Sequence, residues 1–200
     1  METDKFELPE PEARSSQEDV DWSALFDAMS DMVEVEKVAD VLAARARVLA
    51  EPEGDGGADV GDVFTLFSLG PERYALSAGV TREVLELPKI TAIPKVPAVV
   101  AGLFHRRGGV YVAIDTKELL GLEEDGNYGN AVILTGDPAG VAILVDEVQA
   151  ARNIPPAAIY AGDVGGRAVA GITADRYIVL DAEALWAEIR AALGLGARGL

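Results

Sequence analysis

From Val63 onward, apolar residues recur in short runs that are separated by glycine and proline turns. Alternation of apolar and polar positions over runs of about five residues is typical of half-buried β-strands. Two such runs on either side of a short turn predict a hairpin. The predicted hairpins are 64–76, 100–115, 131–145 and 169–181.

The same order of elements occurs twice in this region. A hairpin, a proline turn, a second hairpin and a helix signal follow each other in residues 64–120 and again in residues 131–193. The helix signals begin at Asp115, with Glu118 at capping-box spacing, and at Asp181. Short strands with such turns predict two small barrels rather than a parallel sheet. Barrels of about 60 residues each are marginal alone, so we expect them to share an interface.

The N-terminal third of the chain follows a different pattern. Residues 1–18 hold few apolar side chains, which predicts a disordered acidic tail. Residues 19–51 show helical spacing with one phase slip, which predicts an amphipathic helical extension capped by Asp19 or Asp21. Residues 52–61 are typical of a glycine-rich linker. The sequence leaves open whether the helix packs on its own domain or docks in a partner's groove.

Charge narrows the class of partner. The formal net charge is −17, and residues 1–62 hold 18 acidic and 5 basic residues, whereas the rest of the chain holds 16 and 12. An acidic chain without a basic stripe repels phosphate backbones, so we expect no nucleic-acid partner. No apolar run approaches the ~20 residues of a membrane span, and the start has no signal-peptide pattern. We therefore expect a cytoplasmic protein without direct membrane insertion.

The chemical inventory favours a binding module over an enzyme. Cysteine is absent and His105 is the only histidine, which removes thiolate chemistry and most metal-ligand sets. Asp115, Asp146 and Asp181 each follow an apolar run, and helix-capping or turn roles are the simpler interpretation. A carboxylate- or metal-dependent enzyme built on these three residues is the alternative. The sequence has no cofactor fingerprint, so neither a cofactor nor a metal is predicted.

The turn of the hairpin at 100–115 carries an unusual charge. Its corner reads Arg106-Arg107-Gly108-Gly109, and the two glycines permit the positive φ angles of a tight reversal. Charged residues at a corner are commonly solvated surface. Recognition of a partner is the other interpretation.

Three segments resemble the CheW coupling proteins of bacterial chemotaxis arrays. They are Thr81 to Pro97, Gly102 to Gly108 and Val112 to Asp115, within a similarity over about residues 62–193. The resemblance implies two tandem five-stranded SH3-like barrels over residues 62–195, roughly 62–125 and 126–195 and interleaved at their edges. It also implies a non-catalytic adaptor that joins a CheA-type histidine kinase to the cytoplasmic tips of chemoreceptors, clustered in arrays by the inner membrane.

The resemblance carries site residues with it. In the family a glutamate and a corner arginine lie close together at the receptor-binding face, and Glu83 and Arg107 occupy those places. A carboxylate against a guanidinium would hold the corner while the remaining N–H groups face a partner. The implied receptor-binding residues are Glu83, Gly102, His105, Arg106, Arg107 and Gly108. Kinase contacts are expected in the second barrel, at residues that the sequence does not identify.

The sequence departs from the family pattern at the corner itself. The family usually has Asn-Leu-Arg where this chain has His105-Arg106-Arg107, and Thr81, Ala113 and Thr116 replace other usual residues. A divergent receptor would explain such changes. A CheW-like scaffold of a receptor–kinase pathway outside chemotaxis is therefore the related alternative.

Overall fold

The computed structural model describes residues 6–7, 21–32, 62–122, 127–136, 139–161 and 168–195, and these residues are mainly β. The strands are β1 (Phe6–Glu7), β2 (Asp62–Leu69), β3 (Glu72–Ser77), β4 (Thr81–Glu86), β5 (Val100–Arg106), β6 (Gly109–Asp115), β7 (Asn127–Tyr128), β8 (Asn130–Leu134), β9 (Val141–Val145), β10 (Glu147–Val148), β11 (Arg152–Ile154), β12 (Ile159–Tyr160), β13 (Val169–Thr173) and β14 (Tyr177–Leu180). The helices are α1 (Trp22–Met32), α2 (Thr116–Leu120) and α3 (Ala182–Ala192). The mainly β class that the alternating pattern predicts is confirmed.

All four predicted hairpins form. β2 pairs with β3, β5 with β6, β8 with β9 and β13 with β14, each antiparallel. A short turn can only join antiparallel neighbours, so these pairings follow from local sequence. The predicted helix caps at Asp21, Asp115 and Asp181 are confirmed, because each carboxylate accepts a hydrogen bond from the backbone N–H three residues later.

The prediction of closed barrels is wrong, because the pairings among the described strands form open sheets. The two large sheets are a five-stranded one in the order β4-β8-β9-β6-β5 and a seven-stranded one in the order β10-β2-β3-β14-β13-β12 with β11 beside β2, and β1 pairs with β7 in a third, two-stranded sheet. The strands that join hairpins from different halves, β6 with β9 and β14 with β3, are parallel. Each large sheet therefore combines a hairpin from one half of the chain with strands from the other half.

The internal repeat is visible in the way the two sheets are built. Gly102 on β5 and Gly171 on β13 both follow a valine-alanine pair, and the pairing register shifts at both glycines. A Cβ on Gly102 would lie 2.3 Å from the Thr91 carbonyl oxygen, and one on Gly171 would lie 2.6 Å from the Tyr160 carbonyl oxygen. The repeated motif therefore marks the place where another backbone segment, at Thr91 beside β5 and on β12 beside β13, comes close to the strand.

The largest hydrophobic cluster packs the five-stranded sheet against helix α3, with Ile143, Leu144 and Ile189 fully buried. A smaller cluster, which includes Phe64, Leu66 and Tyr177, lies on the seven-stranded sheet. Among the described helices, none is long and apolar enough to cross a membrane.

Helix α1 packs against β6 of its own chain, which is the first of the two arrangements that the sequence left open. Trp22 and Phe26 are only 7% and 4% exposed and belong to the largest hydrophobic cluster. The predicted tail at 1–18 apart from residues 6–7, the rest of the helical extension from residue 33 and the linker up to residue 61 lie outside the described residues.

Candidate functional site

The charged corner is a two-residue turn between β5 and β6. Arg106 pairs with Gly109, and Arg107 and Gly108 between them have φ angles of 48° and 82°. Two consecutive positive φ angles are those of a type I′ hairpin turn, which matches the right-handed twist of the flanking strands. The reversal therefore falls on Arg107 and Gly108. Gly109, which the sequence placed in the turn, is instead the first residue of β6.

Glu83 on β4 lies between the two arginines. Its Oε1 atom accepts hydrogen bonds from Nη2 and Nε of Arg106, at 2.5 Å and 3.1 Å. Nη2 of Arg107 lies 3.5 Å from the same oxygen. The expected closeness of Glu83 and Arg107 is therefore present, but the stronger contact with the carboxylate comes from Arg106.

The two arginines differ in what they can offer a partner. The Arg106 side chain is 38% exposed and makes two of its N–H bonds to Glu83. The Arg107 side chain is 76% exposed, and its Nη2 atom lies 3.5 Å from Oε1 of Glu83. Because a guanidinium carries five N–H donors, Arg107 keeps most of its donors available to a carboxylate or carbonyl of another molecule.

The other predicted site residues are divided between the corner and the sheet. Gly108 lies at the turn, where a Cβ would meet no heavy atom within 4 Å. His105 is exposed on β5, and strand alternation places it on the opposite face from Arg106. Gly102 is buried in β5 next to the Thr91 carbonyl. It therefore affects the corner only through the path of strand β5.

Sequence reasoning assigned no role to Val84, which is an exposed large hydrophobic residue next to Glu83. Its exposure follows from the position of β4 at the end of the five-stranded sheet. Edge position depends on long-range strand pairing, so no local pattern could have identified it.

A second charged corner, also missed from the sequence, lies at the turn between β13 and β14. Asp175 in this turn pairs with Arg152 on β11 at 3.0 Å, and Nη2 of Arg73 donates to the Asp175 carbonyl oxygen at 2.7 Å. The guanidinium carbons of Arg73 and Arg152 lie 4.8 Å and 5.1 Å from the centroid of the Tyr177 ring, within the range of cation–π contacts. In this corner the turn supplies the acid, whereas at the Glu83 corner the acid lies on strand β4 and the turn supplies Arg107. The internal repeat was the signal that could have found it.

Two of the three candidate carboxylates belong to a buried polar cluster. Nζ of Lys117, whose side chain is 4% exposed, lies 3.0 Å from Oδ1 of Asp146. Oδ2 of Asp146 accepts the N–H of Gly70 at 2.6 Å, across to the β2–β3 turn of the other sheet. The Tyr128 hydroxyl donates to Asp115 and accepts the N–H of Lys117 at 3.2 Å. The cluster therefore fastens the two sheets together.

For Asp146, the helix-capping interpretation is wrong, whereas a turn role agrees with its position at a bend between β9 and β10. The element directly after Asp146 is strand β10 and not a helix, and the Asp146 carboxylate contacts Lys117 and Gly70. Asp181 caps α3. Within the described ranges, no group of three or more histidine, cysteine, aspartate or glutamate side chains is placed to hold a metal ion.

Burial gives the cluster a pH dependence. Burial raises the pKa of Tyr128 far above its ordinary 10.0, and the Asp115 charge and hydrogen bond raise it further. Burial also raises the pKa of Tyr74, helped by a 2.5 Å hydrogen bond to Glu72. The folded protein therefore keeps both protons at a pH where the unfolded chain releases them, so the free energy of unfolding falls as pH rises above about 10.

We expect Tyr128→Phe to halve the rate at which the free energy of unfolding falls with pH above about 10. Each tyrosine contributes up to about 1.4 kcal/mol of lost stability per pH unit once the unfolded chain titrates. Urea unfolding at a series of pH values above about 10 gives the slope, and Tyr160→Phe, at an exposed tyrosine, is the matched control. A Tyr128→Phe slope equal to that of the wild type would contradict the assignment.

Comparison with known proteins gives one family model and similar solved structures. The sequence profile of the CheW-like domain matches residues 64–190. Curated proteins give no match. The scaffolding protein TtCheW from Thermoanaerobacter tengcongensis is similar in structure, with 24% identity and a TM-score of 0.54 over 60% of this chain and 87% of that chain. At that identity the likeness shows the fold alone. The family profile covers more than half of the residues of this chain, so the chain belongs to the CheW-like domain family.

Proposed function

We propose that this protein is a non-catalytic adaptor that couples the cytoplasmic tips of chemoreceptors to a CheA-type histidine kinase. The observation that carries the proposal is the corner on the CheW-like domain, where Glu83 orients Arg106 and leaves Arg107 largely exposed. This arrangement gives a rigid hairpin turn with an accessible guanidinium, and arginine is among the residues that dominate binding energy in protein interfaces. The adaptor works in the cytoplasm, next to the receptors that it binds.

The proposal divides the domain between two partners. The receptor tip binds at the Glu83 corner of the five-stranded sheet, and the kinase docks on the strands of the second half, in the seven-stranded sheet. Support for two faces comes from the repeat, because each of the two large sheets contains a hairpin turn with its own ion pair. Two separate faces are what a protein needs in order to bind two partners at once.

Arg107→Glu is expected to weaken receptor binding by roughly 30-fold, because it places a negative charge beside Glu83 where a cation faced the partner. Co-sedimentation with receptor-tip fragments measures receptor binding, and a separate co-sedimentation with the CheA-type kinase of the same cell measures kinase binding. Arg176→Glu is the matched control for the receptor arm: it is also an exposed arginine with positive φ, at 64°, in the equivalent turn of the other sheet.

The possible outcomes test the assignment of the receptor-binding corner and the coupling function separately. Loss of receptor binding in Arg107→Glu, with kinase binding kept and Arg176→Glu still binding receptor, supports both. Unchanged receptor binding in Arg107→Glu would make the corner assignment wrong. Wild-type protein that binds neither partner would overturn the coupling function itself.

A CheW-like scaffold of a receptor–kinase pathway outside chemotaxis is the second candidate. The observation that favours it is the contact between Arg106 and Glu83, since the family usually has leucine at that corner position. A second cation at the corner changes the charge that a receptor must present. Binding to a sensor receptor other than a chemoreceptor, abolished by Arg106→Leu, would establish this candidate.

A further inference from the structure

Helix α1 has the features of a ligand bound to the CheW-like domain rather than of an integral part of it. The family match begins at residue 64, so the domain's defining segment does not include α1. The helix is attached through the 29 residues between Met32 and Asp62. A segment of that length can reach up to roughly 100 Å, which is far enough to place α1 on a neighbouring molecule.

The helix depends on docking for its own stability. It has 11 residues, and isolated helices of that length are marginal in water. Trp22 and Phe26 lie one turn apart on the same face, with ring centroids 6.3 Å apart, and both are buried. Leu25 is partly buried against the same cluster, whereas Ala24, Asp27 and Ala28 are exposed. Among the α1 side chains that the structure describes, the two aromatic anchors, Trp22 and Phe26, are the buried ones.

We propose that the surface beside β6 beneath α1 is an exchangeable helix-docking site that α1 of a second copy of this chain can occupy. A surface that fits α1 within one chain fits the identical helix of another chain, and only the tether distinguishes the two cases. Reciprocal exchange between two copies gives a closed, symmetric pair without any new contact surface. The docking surface shares strand β6 with the corner hairpin, but the proposal does not rest on the proposed adaptor function.

A labelled peptide of residues 19–34, which contains the Asp21 cap and both aromatic anchors, stands in for the helix of the second copy. Full-length Trp22→Ala/Phe26→Ala protein has lost the anchors of its own helix, so its docking surface is open. We expect the peptide to bind this variant saturably, by fluorescence anisotropy. It should bind wild-type protein at least about tenfold more weakly, because the tethered α1 competes at a high effective concentration. A peptide with alanine at the same two positions is the control and should bind neither protein.

Two results would overturn the proposal. Equal peptide binding to wild type and variant would place the peptide elsewhere, and no binding to a variant that remains folded by circular dichroism would show that the surface refuses the helix in trans. If the double variant fails to fold, a protease site replacing residues 53–58 of the otherwise wild-type chain serves instead. After cleavage, the labelled peptide should replace the released α1 fragment on gel filtration. Retention of the original fragment against excess peptide would contradict exchange.

Discussion

Asp146→Asn is expected to lower the free energy of unfolding by about 3 kcal/mol, because it removes the carboxylate next to a buried lysine. Nζ of Lys117 lies 3.0 Å from Oδ1 of Asp146, and the lysine side chain is almost completely shielded from water. Asparagine keeps one oxygen that can accept the N–H of Gly70, and its NH2 group then faces Nζ of Lys117, so the lysine loses both the negative charge and the acceptor. Removing one partner of a buried ion pair is costly because the other charge stays in a poorly solvating site.

The chain offers a matched control for this prediction. Asp175→Asn makes the same chemical change in the exposed pair with Arg152, where solvent screens both charges, so we expect a loss below about 1 kcal/mol. Urea unfolding of both variants gives the comparison. The double variant Lys117→Met/Asp146→Asn should recover part of the loss, since it removes the buried ammonium as well. If Asp146→Asn unfolds like the wild type, the Lys117–Asp146 pair does not stabilise the fold.

Gly102→Ala is expected to cost about 3 kcal/mol or more through steric conflict and backbone strain. The new Cβ would lie 2.3 Å from the Thr91 carbonyl oxygen, and φ at this position is 147°. The same carbonyl accepts the N–H of Leu103 at 2.9 Å, and the N–H of Thr91 donates to the Leu103 carbonyl oxygen at 2.8 Å. Moving the Thr91 segment away from the methyl group would therefore break the bridge that holds it to β5.

Gly108→Ala separates the two causes of this effect. Its φ is also positive, at 82°, but the added Cβ meets no heavy atom within 4 Å, so we expect a loss of only about 1 kcal/mol. Gly171→Ala should show the steric part of the Gly102→Ala loss, because its Cβ would lie 2.6 Å from the Tyr160 carbonyl oxygen while its φ lies outside the left-handed range. Thermal unfolding of the three variants checks the order. Equal losses in Gly102→Ala and Gly108→Ala would show that strain alone matters.

The candidate site was predictable in position but not in detail. The resemblance placed Glu83 beside the corner arginines, and the glycine after Arg107 predicted a tight turn. Which arginine binds the carboxylate depends on the register between β5 and β6 and on the direction of each side chain, and the structure favours Arg106. The corner at Asp175 was missed because its residues come from three separate segments of the chain.

The sequence by itself determined the features that depend on neighbours along the chain. The four hairpins and the caps at Asp115 and Asp181 follow from alternation, turn residues and backbone hydrogen bonds over a few positions, and they agree with the structure. The tertiary structure alone decided that hairpins from opposite halves pair in parallel into open sheets, and that Asp146 meets Lys117 between those sheets. The physical reason is that a strand presents the same hydrogen-bonding groups to any partner, so the choice among distant partners is made only when the side chains pack together.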